Sequence, residues 1–204
     1  MKKFTLKTSK NKNIIVNKIF ILVQNEASIA LKIKNDLRKH INIIISNNHD
    51  YLKKRFVSKN FRSIISINSN NNEKFNHMLI MYSNNKKNSY LLNLSNIIFK
   101  RKILRKMRRR IINFHPSYLP YHRGLNAFDK AFHGDLKSGS TTHFCNNLID
   151  GGDIIMQKRY KIDKSKSYFF NRNEVFKIQL SQVEQIISKI IKNKHLYFKK
   201  QKTI

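Results

Sequence analysis

The sequence predicts an α/β fold in which helices cover both faces of an open, mostly parallel, twisted sheet. The first half of the chain carries short, continuous apolar runs rich in isoleucine, which are typical of strands buried on both faces. An amphipathic segment separates the first two runs, and the order strand, helix, strand indicates parallel strands joined by right-handed crossovers. All five glycines and both prolines lie between residues 116 and 152. Sharp turns are therefore expected in that part of the chain.

The elements follow one another along the chain. A helix is predicted over 26–39, where apolar residues recur on one side and charges lie on the other. The asparagine-rich tract 66–88 predicts a loop, a buried strand and a second loop. A last helix is predicted over 173–192, where apolar residues recur at near-helical spacing. The predicted strands are Lys18–Val23, Ile41–Ser46, Ser63–Ile67, Met78–Tyr82 and Arg110–Phe114.

Composition bounds the class of protein. The chain has 204 residues, a formal net charge of +31 and 40% hydrophobic residues, which suits one domain with a core. It has no apolar run of about 18 residues that would predict a membrane span. Cys145 is the single cysteine, which excludes an internal disulfide framework and fits a reducing, cytoplasmic compartment. We expect a basic tail at 1–13, one domain at 14–196 and a basic tail at 197–204.

The run Lys100–Arg110 is the strongest cluster of positive charge. Eight of its eleven residues are Lys or Arg, which is enough to contact several phosphates of a nucleic acid. The whole chain is rich in Lys, Asn and Ile, however, so the run also fits the solvated face of a helix. We favour this second interpretation and expect a small-molecule partner, with no membrane partner. The oligomeric state is left open.

The distribution of glycine limits the possible functions. Since phosphate-binding loops need glycine, a chain without glycine before residue 116 has no P-loop or dinucleotide fingerprint near its N-terminus. In the predicted sheet a ligand site lies at the carboxyl ends of the strands. Asn113, His115 and Ser117 leave the last predicted strand there, and alternation puts them on one side while the chain stays extended. These residues are the first candidates for chemistry.

An amide beside an imidazole can donate two hydrogen bonds to a carbonyl oxygen that becomes an oxyanion. A carboxylate must then orient the imidazole or take up a proton. Asp150 is the best candidate because two glycines follow it and allow a sharp bend, whereas Asp129 and Asp135 fall in a predicted helix and its exit. On these residues alone, a purely structural Asn and His remain the alternative.

Residues 112–157 resemble the catalytic core of the formyltransferases that use 10-formyltetrahydrofolate. This family includes glycinamide ribonucleotide transformylases, methionyl-tRNA formyltransferases and nucleotide-sugar formyltransferases, and it carries Asn-x-His-x-Ser-x-Leu-Pro, a Gly-x-Thr-x-His strand and Leu-Asp-x-Gly-x-Ile-Ile. The resemblance implies a Rossmann-like, formyltransferase-type sheet. The matching residues are Asn113, His115, Ser117, Leu119, Pro120, Arg123, Gly124, Gly139, Thr141, His143, Asp150, Gly152, Ile154 and Ile155.

The resemblance also implies roles for these residues. Asn113 and protonated His115 would hold the oxyanion while an amine attacks the formyl carbon, and Asp150 would orient His115 and relay the amine proton through water, without a metal. Ser117 and Arg123 would contact the substrate. His143 is interpreted as structural and Cys145 as a small loop residue. The pterin pocket would be formed, largely by backbone groups, from Ile97, Ile98, Phe99, Cys145, Asn146, Asn147, Leu148 and Ile149.

Departures from the family pattern bear on the acceptor. Leu22–Ser28 lacks the glycine-rich phosphate loop of the transformylases, and Gln179 stands where they place a glutamate near the acceptor amine. The pair Arg123-Gly124 favours the sugar and tRNA branches, whereas the chain length favours a compact transformylase. We expect a nucleotide-linked amino sugar as the acceptor, with glycinamide ribonucleotide as the alternative and tRNA or another amine third. A basic nucleic-acid-binding module or an inactive relative is the alternative of a different class.

Overall fold

The computed structural model describes residues 18–24, 28–46, 50–67, 77, 89–135 and 137–201. The strands in this part of the chain are β1 (Lys18–Val23), β2 (Ile41–Ser46), β3 (Ser63–Ile67), β4 (Ser89–Leu94), β5 (Ile111–His115), β6 (Lys137–Phe144) and β7 (Ile154–Lys161). The helices are α1 (Ser28–Lys32), α2 (Asn35–Arg38), α3 (Asp50–Val57), α4 (Arg101–Lys106), α5 (Ala127–His133) and α6 (Tyr168–Ile191).

The described strands form one sheet in the order β3-β2-β1-β4-β5-β6-β7. The first five strands are parallel, and β6 runs antiparallel to both β5 and β7. The predicted fold class, an open and mostly parallel sheet, is confirmed. The antiparallel β6 lies beside β5, which carries the predicted catalytic residues Asn113 and His115. The side chains of β6 are therefore the neighbours of these two residues on that side of the sheet.

Two apolar clusters hold helices against the two faces of the sheet. Ile19 and Ile21 of β1 belong to one cluster, which also contains side chains of α1, α3 and α6. Phe20 and Leu22 belong to the other cluster, together with Ile103 of α4. Because alternate residues of a strand face opposite sides, a strand buried on both faces needs an apolar residue at every position. This explains the continuous apolar run of β1.

Most predicted strands occur where the sequence placed them. β1, β2 and β3 have the predicted bounds, and β5 begins one residue later than predicted. The predicted strand Met78–Tyr82 and the predicted basic tail 1–13 lie outside the described residues.

The sequence analysis missed β4, which lies between β1 and β5. Leu91 and Leu92 of this strand are fully buried. Asn93 interrupts the apolar run after three residues, so the run is too short for its periodicity to indicate a strand. The missed strand is central to the sheet, and its end carries part of the site.

The predicted helix over 26–39 occurs as the two short helices α1 and α2. Lys34, between them, has an extended backbone, and its N–H donates to Glu184 of α6 at 2.9 Å. The Lys34 ammonium lies 3.6 Å from the same carboxylate. These contacts with α6 replace the helical hydrogen bonds at the break. Ile33 is nevertheless fully buried, so the predicted apolar side faces the core.

The helix α6 begins at Tyr168, earlier than the predicted start at residue 173. Ser167 caps it, because the Ser167 side chain accepts a hydrogen bond from the N–H of Phe170 at 3.2 Å. The prediction used apolar periodicity, which becomes regular only from Val175 onward. A capping serine was the local signal for the true start.

The predicted boundary between domain and tail at residue 197 does not match the structure. Lys199 and Ile154 exchange two backbone hydrogen bonds of 2.8 and 2.9 Å, which form an antiparallel bridge to the start of β7. The ring of Phe198 packs edge-on against Phe144, with their centroids 5.8 Å apart. The folded domain therefore extends at least to residue 201. None of the described helices is long and apolar enough to span a membrane.

Candidate active site

A cleft of about 340 Å³ opens at the carboxyl ends of β1, β4 and β5. The strand order reverses here, because the chain moves outward from β1 to β2 and β3 and then returns to β4 on the other side of β1. A crevice forms at such a switch point, since the connections leave neighbouring strands in opposite directions. Residues lining the cleft include Gln24, Ser28, Asn93, Asn113, His115 and Gln179.

The strands β5 and β6 position the predicted catalytic side chains. Asn113 and His115 are two residues apart on β5 and therefore face the same side of the sheet. The antiparallel pairing places His143 of β6 opposite Asn113 and Thr141 opposite His115. The chain then turns back between β6 and β7, and Asp150 in this turn contacts both β5 residues. The structure thus brings all three predicted catalytic residues together.

Asp150 is bound from several sides. Its Oδ2 lies 3.3 Å from Nδ1 of His115, and its Oδ1 accepts a hydrogen bond from Nδ2 of Asn113 at 3.1 Å. The backbone N–H of Gly124 donates to Oδ2 at 2.9 Å. Burial by itself raises the pKa of Asp150, but the contacts with His143, His115 and Gly124 outweigh it and lower the pKa to about 2. Asp150 is therefore a carboxylate at neutral pH.

The backbone of the Asp150 turn is unusual. Asp150 has φ +48°, a left-handed conformation that aspartate adopts more readily than most residues. Gly152 is required by close approach, because a Cβ there would lie 1.6 Å from the carbonyl oxygen of Phe144. The side-chain amide of Asn146 donates to the carbonyl of Gly151 at 3.1 Å. These constraints fix the direction in which the Asp150 carboxylate points.

The C-terminal segment also holds this turn. Nε2 of Gln201 donates to the backbone carbonyls of Asp150 at 3.0 Å and of Gly152 at 3.3 Å. The guanidinium of Arg123 donates to the side-chain oxygen of Gln201. Arg123 thus supports the residue that binds the Asp150 turn, and its predicted contact with the substrate stays a prediction. The sequence analysis missed Gln201, because it lies about fifty residues from its partners and outside the motif.

His115 is 5% exposed. Its Nε2 lies 2.8 Å from the carbonyl oxygen of His122, which can only accept, so Nε2 carries a proton. Burial lowers the pKa of His115, whereas the Asp150 carboxylate and the His122 carbonyl raise it; the net effect is a lowered pKa. The imidazole is therefore mainly neutral at neutral pH, and Asp150 is placed to stabilise the imidazolium when it forms.

His143 lies inside the same network. Its Nδ1 is 3.0 Å from the carbonyl oxygen of Phe144 and therefore donates to it. Its Nε2 lies 3.2 Å from Nδ2 of Asn113 and 3.4 Å from Oδ1 of Asp150. We predicted a structural role for His143, but it contacts two of the predicted catalytic residues directly. The signal was the Gly-x-Thr-x-His strand itself, since its pairing with β5 puts this imidazole opposite Asn113.

Asn93 is the second residue of the site that the sequence analysis missed. Its Nδ2 donates to Oδ1 of Asn113 at 3.1 Å, so the amide nitrogen of Asn113 must point toward Asp150. Oδ1 of Asn93 accepts from the Ser95 hydroxyl at 2.6 Å. The signal was a repeated pattern, because Leu-Leu-Asn-Leu at 91–94 and Ile-Ile-Asn-Phe at 111–114 pair in register.

The two predicted oxyanion donors already have partners within the protein. The two amide hydrogens of Asn113 face Oδ1 of Asp150 and Nε2 of His143. The ring nitrogens of His115 face Asp150 and the His122 carbonyl. Each donor can therefore serve a substrate oxygen only by exchanging one of these hydrogen bonds for another.

Ser117 does not join the site. It has no exposed surface, and its hydroxyl donates to the carbonyl of Tyr121 at 2.7 Å. Its own carbonyl accepts from the Thr141 hydroxyl at 2.8 Å. These contacts hold the turn after β5 against β6. The predicted contact between Ser117 and the substrate is therefore not supported by its position.

The side chains of the site do not form a metal centre. Nε2 of His115 and Nδ1 of His143 both donate to backbone carbonyls, and no group of three His, Cys, Asp or Glu suited to a metal ion occurs in the described ranges. Burial raises the pKa of the Cys145 thiol, and the nearby Asp150 carboxylate raises it further. Cys145 is therefore a neutral thiol and a poor nucleophile.

The two segments predicted to form the pterin pocket lie together. Ile97, Phe99 and Cys145 pack in the same apolar cluster, so the loop after β4 contacts the loop that precedes Asp150. The next residues of both loops are exposed and offer apolar side chains and backbone groups. The exposed residues of these segments are Ile98, Asn146, Asn147, Leu148 and Ile149.

The basic run 100–110 is partly structural. It forms α4 and the turn after it, and Ile103 is fully buried beneath the helix. Arg109 lies over the ring of Phe198 at 4.1 Å and pairs with Asp153 at 3.2 Å. Arg109 therefore holds the C-terminal segment to the loop before β7.

One side of α6 forms a wall of the cleft. Arg172, Phe176 and Gln179 of this helix all line it. Nε2 of Gln179 donates to the carbonyl of Phe114 at 2.9 Å, which ties the helix to β5. Ser28 lines the cleft as well, whereas residues 25–27 of the predicted glycine-free loop lie outside the described residues.

Sequence comparison places the chain among known proteins. The family model described as formyl transferase matches residues 17–175. A phosphoribosylglycinamide formyltransferase of Haemophilus influenzae is 40% identical over 62 residues, which are 30% of this chain and 29% of that protein. The aligned segment thus spans less than a third of that relative.

Solved structures share the fold over most of the chain. Glycinamide ribonucleotide transformylase 1 from Symbiobacterium toebii superposes with a TM-score of 0.76 at 17% identity, covering 92% of this chain and 95% of that one. A 4-N formyltransferase from Francisella tularensis superposes with a TM-score of 0.67 at 21% identity, covering 92% of this chain and 74% of that one. At this level of identity the likeness concerns the fold.

Proposed function

We propose that this chain, which belongs to the formyl transferase family, moves a formyl group from 10-formyltetrahydrofolate to the primary amine of a small acceptor. The observation that carries the proposal is the arrangement of Asn113, His115 and Asp150. An amide donor, an imidazole and a carboxylate meet at the carboxyl end of β5, beside a cleft. Acyl transfer to an amine needs these three groups and no redox centre.

The residues beside Asp150 fit a folate. The exposed apolar side chains of Ile98, Leu148 and Ile149 lie next to a rigid turn with exposed backbone groups, which suits a flat ring with polar edges. We propose that 97–99 and 145–149 hold the pterin. When bound, 10-formyltetrahydrofolate would supply a formyl carbon open to attack by an amine, with tetrahydrofolate as the leaving group.

The side chains of the chain itself then have distinct tasks. Asn113 gives one amide hydrogen to the oxygen on which negative charge develops, and His115 gives an N–H to the same oxygen. Asp150 stabilises the imidazolium of His115, the minor form of this ring at neutral pH, in which both ring nitrogens can donate. Asp150 also takes up, through water, the proton that the amine loses as its bond to carbon forms. That proton passes to the nitrogen of the leaving group. The low pKa of Asp150 keeps it charged for this purpose.

Two acceptors are proposed. Phosphoribosylglycinamide is favoured by the 40% identity to a phosphoribosylglycinamide formyltransferase and by a fold that matches 95% of a solved transformylase. A nucleotide-linked amino sugar, expected first from the sequence, is favoured by the glycine-free segment after β1 and by the likeness to a 4-N formyltransferase. Cys145 is a free thiol, consistent with the cytoplasmic compartment that we propose for either reaction.

The test is a screen of amine acceptors with 10-formyltetrahydrofolate, read by mass spectrometry for a product heavier by one CO unit. Phosphoribosylglycinamide and nucleotide-linked amino sugars form the first panel. In the same reaction time Asp150→Asn should give at most about one hundredth of the wild-type product, whereas Asp129→Asn, which changes the matched carboxylate on α5, should give nearly as much as wild type. Absence of product with every acceptor, together with no rise of the melting temperature by a folate analogue near millimolar concentration, would contradict the proposal.

A further inference from the structure

A second cleft of about 340 Å³ lies on the hairpin of β6 and β7. It is on the same sheet face as the catalytic side chains, and the segment 116–123 separates the two. Leu119 of this segment is held over the sheet, because its N–H donates to the Thr141 hydroxyl at 3.0 Å and its carbonyl accepts from the Gln157 amide at 2.7 Å. The second cleft is therefore independent of the folate and acceptor sites proposed above.

Three cations face this cleft. Lys137 and Lys161 are direct partners in the pairing of β6 with β7, and Arg159 lies two residues before Lys161 and hence on the same face. Like charges directly opposite on neighbouring strands repel each other. The Lys137 ammonium lies 3.3 Å from the Asp135 carboxylate, and in the described part of the chain neither Arg159 nor Lys161 forms an ion pair. The cluster thus has an excess of positive charge.

Two tyrosines fix the position of two of these cations. The Arg159 guanidinium lies 4.5 Å from the centroid of the Tyr118 ring, and the Lys137 ammonium lies 4.3 Å from that of Tyr121. Such cation–π contacts hold long side chains that would otherwise move freely. Both tyrosines line the cleft together with the three cations. The positive charge is therefore collected around one concave surface.

We infer that this cleft binds the phosphate group of a small phosphorylated molecule. A ligand with two negative charges would relieve the repulsion between Lys137 and Lys161 and still leave Arg159 for a bidentate contact. The volume of the cleft is in the range of small-molecule sites. The basic composition of the whole chain explains lysines that are scattered over the surface. It does not explain why three cations lie on one face of the hairpin, where strand register places them and two tyrosine rings contact two of them.

The test compares two neighbouring residues of β7. Arg159→Gln and Lys158→Gln each remove one positive charge from an exposed position, but Lys158 pairs with Ser140 and so faces the other side of the sheet. Binding of inorganic phosphate, pyrophosphate and adenosine monophosphate is measured by calorimetry at constant ionic strength. Arg159→Gln should weaken pyrophosphate binding about tenfold, and Lys158→Gln should leave it within about twofold.

Lys161→Gln is a second test, and it should weaken pyrophosphate binding as much as Arg159→Gln does. Melting temperatures show that all variants are folded. Tighter binding of the monophosphate than of inorganic phosphate would identify an organic phosphate as the source. Equal weakening by Arg159→Gln and Lys158→Gln would overturn the inference, because it would show general attraction to a basic protein. Absence of saturable binding of all three probes at about 10 mM would overturn it as well.

Discussion

Two regions of the cleft differ in how their side chains are held in place. The first is the catalytic corner, which consists of Asn113, His115, His143 and Asp150. The second is the α6 wall, which consists of Arg172, Phe176 and Gln179. In the corner Asp150 contacts each of the other three side chains, and His143 also contacts Asn113. The pairing of β5 with β6 sets the distance between Asn113 and His143. The wall consists of side chains spaced along one helix and tied to the sheet through Gln179. Under the proposed function, the corner would carry the chemistry and the wall would contact the acceptor. The corner is held by neighbouring strands and one turn, whereas the wall depends on a helix that is distant in the sequence.

The largest expected effect is at the centre of the corner. Asp150→Asn keeps the shape of the side chain but removes the charge that stabilises imidazolium at His115 and the oxygen that accepts the amine proton. We expect kcat to fall by about two to four orders of magnitude, with folate binding retained. Steady-state kinetics of formyl transfer and thermal shift with a folate analogue measure the two quantities.

The matched control for this variant is Asp129→Asn. Asp129 lies on α5 and lines the same cleft, but its carboxylate accepts from the Tyr168 hydroxyl and bonds neither Asn113 nor His115. It should keep kcat within about threefold. If Asp129→Asn lost activity while Asp150→Asn kept a third or more of it, the choice of carboxylate would be wrong.

Asn113→Ala tests the side-chain amide that donates to Asp150. If its amide serves the developing oxyanion, its loss should cost about 2.7–4 kcal/mol of transition-state stabilisation, measured as a fall in kcat of about two to three orders of magnitude. Asn93→Ala is the comparison, because Asn93 lines the same cleft but bonds Asn113 and Ser95 rather than Asp150 or His143. An equal loss in both variants would mean that orientation, rather than donation, is what Asn113 requires.

Gln201→Met tests how much the corner depends on support from outside the motif. The change keeps the length of the side chain but removes the donors to the Asp150 and Gly152 carbonyls. We expect kcat to fall about tenfold with little change in KM, since a small displacement of a catalytic group is costly. The neighbouring exposed Lys200→Met should have no effect, and a similar effect of both variants would indicate general loosening of the segment.

Gln201 and Asn93 also mark what the sequence could not predict. The meeting of Asn113, His115 and Asp150 could be predicted because one motif carries all three residues. The strands β1, β2 and β3 could be predicted because burial on both faces requires continuous apolar runs. Gln201 reaches Asp150 only through the tertiary fold. Asn93 lies on a strand that was hard to recognise because this asparagine interrupts the apolar run. A motif also does not show which way a side chain points. Ser117 donates to the Tyr121 carbonyl and Arg123 donates to Gln201, and the predicted substrate contact of Arg123 stays a prediction.

The pH dependence of stability tests the buried imidazole. Because burial lowers the pKa of His115 in the folded state, the unfolded chain binds a proton more readily. The stabilisation from keeping this ring neutral is complete above about pH 6.5, the ordinary pKa of histidine, and is lost as the pH falls below it. Urea unfolding of wild type and His115→Asn at pH 7.5 and pH 5 measures the effect. The fall in stability toward pH 5 should be smaller in the variant, and an equal fall would contradict burial as the cause.

The smallest expected effect is on the α6 wall. Gln179→Ala removes the amide that lines the cleft and its hydrogen bond to the Phe114 carbonyl, but it leaves every contact of the catalytic corner in place. Loss of one neutral hydrogen bond to a substrate or to the scaffold is worth about 0.5–1.5 kcal/mol, so KM for the acceptor should rise about threefold to tenfold while kcat changes little. Gln182→Ala is the control, because Gln182 is buried on the same helix and bonds Ser140 and Thr142 instead of facing the cleft. It should lower the melting temperature without raising KM. If Gln179→Ala lowered kcat as strongly as Asn113→Ala, the wall would belong to the catalytic corner, and the separation of chemistry from recognition would fail.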